Sequence, residues 1–121
     1  MNFTVLGALV GALSVVLGAF GAHALRGQLA PALQTVFETA VRYQFLHAFA
    51  LLFVGRAGAG APRGGANVAG TLFAAGIAIF SGSLYALALT GATWWGAVTP
   101  LGGLALIAGW LVLARAFWSP A

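Results

Sequence analysis

An acidic and a basic residue, Glu38 and Arg42, stand four positions apart within an apolar stretch of this 121-residue chain. On a helix this spacing puts both side chains on one face, with the acid nearer the N-terminus, which favours an ion pair. Charged groups in apolar surroundings either neutralise each other or mark a path for an ion or substrate. Because Glu38 lies near the start of its stretch, we predict a structural ion pair, with a solute path as the alternative.

Two histidines, His23 and His47, raise the question of metal or haem ligation, and the chain contains no cysteine. If both lie on membrane-crossing helices, their depths differ by roughly 17 Å at 1.5 Å per residue, too far to share one metal ion. We therefore predict no metal and no cofactor. His47 is expected to form a hydrogen bond between helices, aided by Tyr43 one turn earlier, and His23 to be a cap or interface residue.

A hydrolytic site is the third chemistry that these residue types allow. Ser81 or Ser83, a histidine and Glu38 supply the groups of a Ser-His-acid arrangement, but the sequence has no nucleophile motif such as GxSxG. We therefore predict that the protein is not an enzyme. The candidate polar site, or structural network, consists of His23, Glu38, Arg42, Tyr43, Gln44, His47, Ser81, Ser83 and Tyr85.

Four apolar stretches must position these groups, and they predict helices at about residues 3–24, 32–55, 67–90 and 97–115. Each is close to the ~20 residues that cross a hydrocarbon core of ~30 Å. Charged residues make up 5% of the chain, whereas soluble domains average about 25%. The sequence therefore predicts an all-α integral membrane protein. We expect a four-transmembrane-helix bundle with short loops, forming one domain over residues 1–121.

The arginines bear on partners and on topology. They are scattered singly along the chain and form no basic patch, so we expect no nucleic-acid partner. An even number of spans puts both termini on one side of the membrane, together with Arg56, Arg63 and Arg115. By the positive-inside rule, both termini are predicted to be cytoplasmic.

The first apolar stretch ends in a small-x-small motif, Ala22-His23-Ala24, which has the form of a signal-peptidase site. The apolar run before it is longer than the ~7–15 residues of a signal sequence, and no Lys or Arg precedes it. We therefore expect a retained first helix and a multi-pass protein.

Small residues at helical spacing predict how the helices pack. Where lipid offers no hydrophobic drive for association, such residues let neighbouring backbones approach closely. The predicted packing positions are Gly7, Gly11, Gly18, Gly70, Ala74, Ala78 and Gly82. Because four of these recur at every fourth residue of the third helix, we expect this helix to be the central packing element. Its opposite side, which includes Phe73, is expected to face lipid.

Four segments in order form the most specific motifs of the chain: GAFGAHAL (18–25), FETAVRYQFLHAFALL (37–52), FSGSLYALALTG (80–91) and TPLGGLALIAGW (99–110). In these motifs the chain resembles the YgdD-like family of small, uncharacterised bacterial inner-membrane proteins. The resemblance covers about residues 1–115. It implies a four-helix protein of the bacterial inner (plasma) membrane, and it implies no activity. A function common to that family would have to use the residues of the candidate polar site.

Two functions remain open on the sequence. The first is a non-enzymatic structural or accessory helix bundle in the lipid bilayer, which packs through glycine and alanine ridges as a homo-oligomer or within a larger membrane complex. The alternative is a small oligomeric channel or transporter, in which an ion or small polar solute passes through the polar site in the outer half of the membrane. The abundance of small residues favours the first.

Overall fold

The computed structural model describes residues 1–58 and 63–118. The described residues form four helices: α1 (Phe3–His23), α2 (Pro31–Ala57), α3 (Arg63–Thr90) and α4 (Trp95–Ala116). The all-α class is therefore as predicted. The structure corrects the start of the third helix, which was predicted at about residue 67 and lies at Arg63. Residues 59–62, between the predicted second and third helices, lie outside the described residues.

Local chemistry explains where the helices begin and end. The side chain of Asn2 caps α1 by accepting a hydrogen bond from the backbone N–H of Val5 at 3.1 Å. Pro31 opens α2, where its missing N–H removes no helical hydrogen bond. Gly27 and Gly91, which lie in the turns before α2 and α4, have φ of 81° and 70°. Glycine adopts this left-handed region without a Cβ clash.

Consecutive helices pack against one another and run antiparallel. Contacts at one end of the bundle fix this arrangement: a Cβ built on Gly55 would meet Thr4, and a Cβ on Gly65 would lie 2.8 Å from the Cβ of Ala116. The start of α1, the end of α2, the start of α3 and the end of α4 therefore share one end of the molecule. The two turns that contain positive-φ glycines share the other.

The apolar core lies between the helices in the half nearer the chain ends. Its buried members are Phe3, Ala50, Leu51, Val54, Ala66, Ala69, Phe73, Ile77, Leu106 and Leu113. Many large aliphatic side chains lie on the outside of α1 and α4, where Leu9 and Leu104 are each 63% exposed. An apolar exterior of this kind suits a hydrocarbon solvent rather than water.

Three of the four described helices are long and apolar enough to cross a membrane: α1, α3 from Gly64 to Thr90, and α4. The predicted fourth span, α2, is not among them. Its polar side chains, which include Glu38 and Arg42, make it less apolar than the others. The number of spans and the side of the termini thus remain predictions.

Several predicted packing glycines lie in close helix contacts. A Cβ built on Gly7 would lie 2.8 Å from the carbonyl oxygen of Ala48, and one on Gly70 would lie 2.6 Å from the ring of Phe3. Both distances are shorter than real Cβ contacts, so Gly7, which faces backbone atoms, requires glycine, and a larger residue at Gly70 would force the ring of Phe3 to move. Ala74 packs beside the core. The contacts are looser at two further positions of α1, Gly18 (3.4 Å) and Gly11 (3.8 Å).

The predicted ridge on α3 is wrong in its second half. Ala78 and Gly82 are exposed, and nothing lies within 4 Å of a Cβ built on Gly82. Four residues advance a helix by ~400°, so an every-fourth-residue ridge turns by ~40° per step and by ~120° over three steps. The ridge therefore starts against neighbouring helices at Gly70 and ends facing outward.

Phe73 was predicted to face lipid and is instead fully buried, at 0% exposure. Its ring packs against Gly109 of α4, where a built Cβ would lie 2.8 Å away. Two further glycines without a predicted packing role make close contacts, because a Cβ on Gly102 would meet the backbone of Phe80 and one on Gly76 would meet Leu106. The seam between α3 and α4 is therefore lined by glycines from both helices.

Candidate functional site

Gln44 is a buried amide on α2 that joins three helices. Tyr85 of α3 donates its phenolic O–H to Gln44 Oε1 at 2.6 Å. Gln44 Nε2 in turn donates to the carbonyl oxygen of Val10 on α1 at 3.3 Å. The side chain is 3% exposed, and a buried polar group left without a partner costs about 1–3 kcal/mol. The structure thus brings Gln44 and Tyr85 together as a hydrogen-bonded link.

Two buried serines of α3 join that helix to different neighbours. Ser81 donates its hydroxyl to the carbonyl oxygen of Ala40 on α2 at 2.8 Å. The hydroxyl oxygen of Ser83 lies 2.6 Å from that of Thr99 on α4, so these two groups share a hydrogen bond. Ser81 therefore fastens α3 to α2, and Ser83 fastens it to α4.

His47 forms the predicted hydrogen bond between helices, and its partner is Trp110 of α4. The indole N–H of Trp110 donates to His47 Nε2 at 3.1 Å, and His47 Nδ1 lies 2.7 Å from the carbonyl oxygen of Tyr43. An indole nitrogen can only donate, so Nε2 accepts and the proton sits on Nδ1. His47 is held as a neutral imidazole with both nitrogens occupied.

Trp110 had no predicted role. The signal available in the sequence was its position inside an apolar helix, ~9 Å before the end of α4, rather than at the interface that tryptophan usually occupies. A tryptophan at that depth needs a partner for its N–H. Its ring also packs against that of Phe73, with centroids 5.0 Å apart.

Four of the predicted site residues lie apart from this network, and His23 and Tyr43 are the first two. His23 is exposed at the last residue of α1. Tyr43 is 40% exposed and packs its ring on Phe80 with centroids 4.6 Å apart, while only its backbone carbonyl bonds to His47. In the described residues no three His, Cys, Asp or Glu side chains gather as metal ligands would.

The predicted ion pair between Glu38 and Arg42 is wrong. Within the described chain these two side chains form no salt bridge, and both are exposed. Glu38 Oε1 instead accepts a hydrogen bond from Gln34 Nε2 at 3.3 Å. Gln34 Nε2 also donates to the carbonyl oxygen of Gly21 at 2.8 Å. Gln34, which was not predicted, thus connects the carboxylate to the end of α1.

Glu38 and Arg42 share the wall of an outward-facing cleft, which we call the α1–α2 groove. Its volume is about 290 Å³. Its lining residues are Ser14, Val15, Gly18, Gly21, Phe37, Glu38, Val41, Arg42 and Phe45. The walls are apolar apart from the two charges and the Ser14 hydroxyl, which donates to the carbonyl oxygen of Val10 at 2.8 Å.

The geometry does not assemble a Ser-His-acid site. The two serines bond to a backbone carbonyl and to Thr99, while His47 bonds to Trp110 and to a backbone carbonyl. Glu38 bonds to Gln34. Nucleophile, base and acid are therefore not connected, and the buried hydrogen bonds hold helices together.

Comparison with known proteins places the chain in one family. The family described as "Protein of unknown function (DUF423)" matches residues 17–103. A UPF0382 membrane protein of Staphylococcus haemolyticus (strain JCSC1435) is 49% identical over 111 residues, which cover 92% of this chain and 90% of the relative. UPF0382 membrane protein YwdK of Bacillus subtilis (strain 168) is 44% identical over 115 residues, covering 94% of each. No solved structure matches the chain.

These relatives confirm the predicted uncharacterised family of bacterial membrane proteins, while the narrower YgdD-like assignment remains a prediction. The family match includes all of α2 and α3, which carry most of the polar network. The chain is therefore a helical membrane protein of the DUF423 family, whose molecular function is unknown.

Proposed function

We propose that this chain is a non-enzymatic helix bundle, a single domain that crosses the bacterial inner (plasma) membrane four times with both termini in the cytoplasm. It acts as a structural or accessory protein by binding other membrane components. Three features of the structure support this proposal: the position of α2, the distribution of the arginines, and the use made of the buried polar groups.

The position of α2 supports a fourth span. Contacts run along most of its length, from Gly21 against Phe37 to Gly7 against Ala48, and α3 packs on it as well. A helix that lies antiparallel between two spanning helices occupies the same depth of membrane. Its 27 residues extend ~40 Å at 1.5 Å per residue, which exceeds a core of ~30 Å.

The arginines support cytoplasmic termini. Arg56 is in the last turn of α2, Arg63 begins α3, and Arg115 is in the last turn of α4. All three belong to the end of the bundle where the chain starts and finishes. The opposite end carries Arg26 in the turn between α1 and α2. An excess of arginine marks the cytoplasmic side.

The non-enzymatic proposal rests on one observation: the buried polar groups already have hydrogen-bond partners within the protein. Among the buried side-chain nitrogen and oxygen atoms of the described residues, Gln34 Oε1 alone has no hydrogen-bond partner. A catalytic acid, base or nucleophile must instead be within reach of a substrate. In this bundle the polar side chains bond to other helices.

The exposure of Glu38 and Arg42 at the α1–α2 groove favours a channel or transporter as the second candidate. The groove lies on the outside of one chain, however, and the interior is filled by residues such as Leu51 and Phe73, both 0% exposed. A solute path along the groove would therefore need a second chain to close it.

Ion flux into proteoliposomes distinguishes the two candidates. Purified wild-type protein is reconstituted at several protein-to-lipid ratios, and proton and potassium entry are followed with fluorescent indicators. We expect the same flux as in protein-free vesicles. A flux that increases with the amount of protein and is abolished by Glu38→Gln would refute the proposal in favour of the channel.

A further inference from the structure

Glu38 and Arg42 present an unusual arrangement for a membrane helix. Each lies well inside α2, both line the outer α1–α2 groove, and they do not pair with each other. Within the described residues Arg42 has no salt-bridge partner, and Glu38 has only the amide of Gln34. Charges within a membrane usually face the bundle interior, where they pair with one another. Two opposite charges on an outer face point to a partner that comes from the lipid.

We propose that the α1–α2 groove binds one phospholipid with a phosphoethanolamine headgroup. Arg42 binds the phosphate, Glu38 accepts hydrogen bonds from the primary ammonium, and an acyl chain lies along the apolar walls beside Val15 and Gly18. This site rests on the proposed crossing of the membrane by α2 and goes beyond it by naming a ligand.

The order of the two charges matches the order of the charges in this lipid. Arg42 lies one turn, or ~6 Å, deeper than Glu38 when counted from the start of α2. In a phospholipid the phosphate is attached nearer the acyl chains, and the ammonium is farther out. Arginine binds phosphate with two parallel hydrogen bonds, and a carboxylate binds a primary ammonium. The charge pattern along the groove is thus complementary to the headgroup.

The depth of Glu38 is also compatible with the headgroup, and Arg42, one turn deeper, must extend outward along the groove to reach the phosphate. Glu38 lies seven residues after Pro31, or ~10 Å from the start of α2, and a helix of ~40 Å extends ~5 Å beyond a core of ~30 Å at each end. The Cα of Glu38 is then ~5 Å inside the core. Side chains lean towards the helix N-terminus, which here is the nearer surface, and long charged side chains reach towards the interface.

The shape of the groove favours a lipid over a second copy of the chain. A volume of about 290 Å³ is at the lower end of small-molecule sites, and it is well below the ~800 Å³ that two turns of a helix of ~10 Å diameter occupy. In a dimer whose twofold axis runs along the membrane normal, the two copies of each residue lie at equal depth, so a groove that faced its copy would put like charges level with each other.

Native mass spectrometry of the detergent-purified protein tests the site. The protein is mixed with equal amounts of dioleoyl phosphatidylethanolamine, phosphatidylcholine and phosphatidylglycerol, and the retained lipid is counted. We expect one phosphatidylethanolamine, preferred about tenfold over the other two, since choline cannot donate to Glu38 and glycerol lacks the positive charge. Soluble glycerophosphoethanolamine should not displace it, because the acyl chain contributes to binding.

Three variants and a control give the result its meaning. Glu38→Gln should abolish the preference, and Arg42→Gln should lower retention of all three lipids. The exchange of both residues, Glu38→Arg with Arg42→Glu, should lose the preference although both charges remain. Arg115→Gln, an exposed arginine outside the groove, is the control and should behave as the wild type. All three altered positions are exposed, and unaltered thermal unfolding checks that each of the four variants is folded.

Two results would overturn the inference. Equal retention of the three lipids by wild type and Glu38→Gln would remove the headgroup specificity. A dimer that dissociates on Glu38→Gln, without any lipid preference, would assign the charges to a second copy. Failure of the topology is separable, because sided cysteine labelling tests the crossing of α2 without reference to lipid.

Discussion

The bond between Tyr85 and Gln44 is the most informative to break, because it joins α3 to the amide that also holds α1. Tyr85→Phe removes one oxygen and leaves Gln44 Oε1 without its donor at 2.6 Å. Interhelical hydrogen bonds in membranes average ~0.6 kcal/mol and reach ~1.7 kcal/mol. A buried unpaired acceptor costs about 1–3 kcal/mol. Because Gln44 is 3% exposed, we expect the free energy of unfolding to fall by about 1.5 kcal/mol.

A double-mutant cycle separates this bond from general packing. Gln44→Leu leaves the Tyr85 hydroxyl unpaired, whereas the carbonyl of Val10 still accepts from Ser14 at 2.8 Å. The double variant lacks both partners, so it should be more stable than the sum of the single losses predicts, by about 1 kcal/mol. Unfolding is measured in mixed micelles under conditions where it is reversible.

The matched control is Tyr43→Phe, which makes the same chemical change at a phenol that is 40% exposed and forms no side-chain hydrogen bond within the described residues. It should change the free energy of unfolding by less than about 0.5 kcal/mol. Equal losses for the two tyrosine variants, or a cycle in which the single losses simply add, would refute the role given to Tyr85 and Gln44.

Three further predictions concern packing and topology. Gly102→Ala should lower the unfolding temperature, since its Cβ would meet the backbone of α3, whereas Gly82→Ala has open space and should not; equal effects would contradict the placement of the seam. Phe73→Ala should lower the free energy of unfolding by about 3–5 kcal/mol in the same micelle assay, because the buried ring of Phe73 fills the core; a loss under roughly 1 kcal/mol would instead indicate that the ring faces lipid. Single cysteines at Gln28 and Gly64, which flank α2 in a chain with no natural cysteine, should react with a membrane-impermeant reagent from opposite sides, Gln28 from outside intact cells. Reaction from the same side would refute the crossing of α2 and with it four spans.

The helices themselves were predictable because long apolar runs leave few alternatives. The predicted 3–24 and 97–115 differ by at most two residues from the observed ends of α1 (Phe3–His23) and α4 (Trp95–Ala116). The start of α3 was missed because glycines from residue 64 indicate a loop by helix propensity. Tertiary contacts override that preference: Gly65 fits against α4, and Ala66 is 1% exposed.

The candidate site was less predictable, because spacing along one helix does not reveal its rotation relative to the others. The sequence predicted an interhelical bond for His47 but not its partner Trp110, which is 63 positions away. It paired Glu38 with Arg42 from their spacing alone. The actual partner, Gln34, is set by the position of the end of α1, to which Gln34 also bonds. Contacts of this kind appear only when the helices are placed together.

The buried hydrogen bonds also divide the chain into two hairpins, α1–α2 and α3–α4, which meet along one interface. The bond of Gln44 to Val10 stays within α1–α2, and that of Ser83 to Thr99 stays within α3–α4. Three other hydrogen bonds cross the interface between the hairpins: Tyr85 to Gln44, Ser81 to the Ala40 carbonyl, and Trp110 to His47.

Two of these donors, Tyr85 and Trp110, have side-chain acceptors that do not recur along the helix. Hairpins that meet one turn out of register would therefore leave both without their acceptors in hydrocarbon, where no water can replace them. Apolar packing distinguishes such alignments less sharply, since side chains of similar size can replace one another. The polar residues thereby select one alignment of the two halves as the bundle assembles.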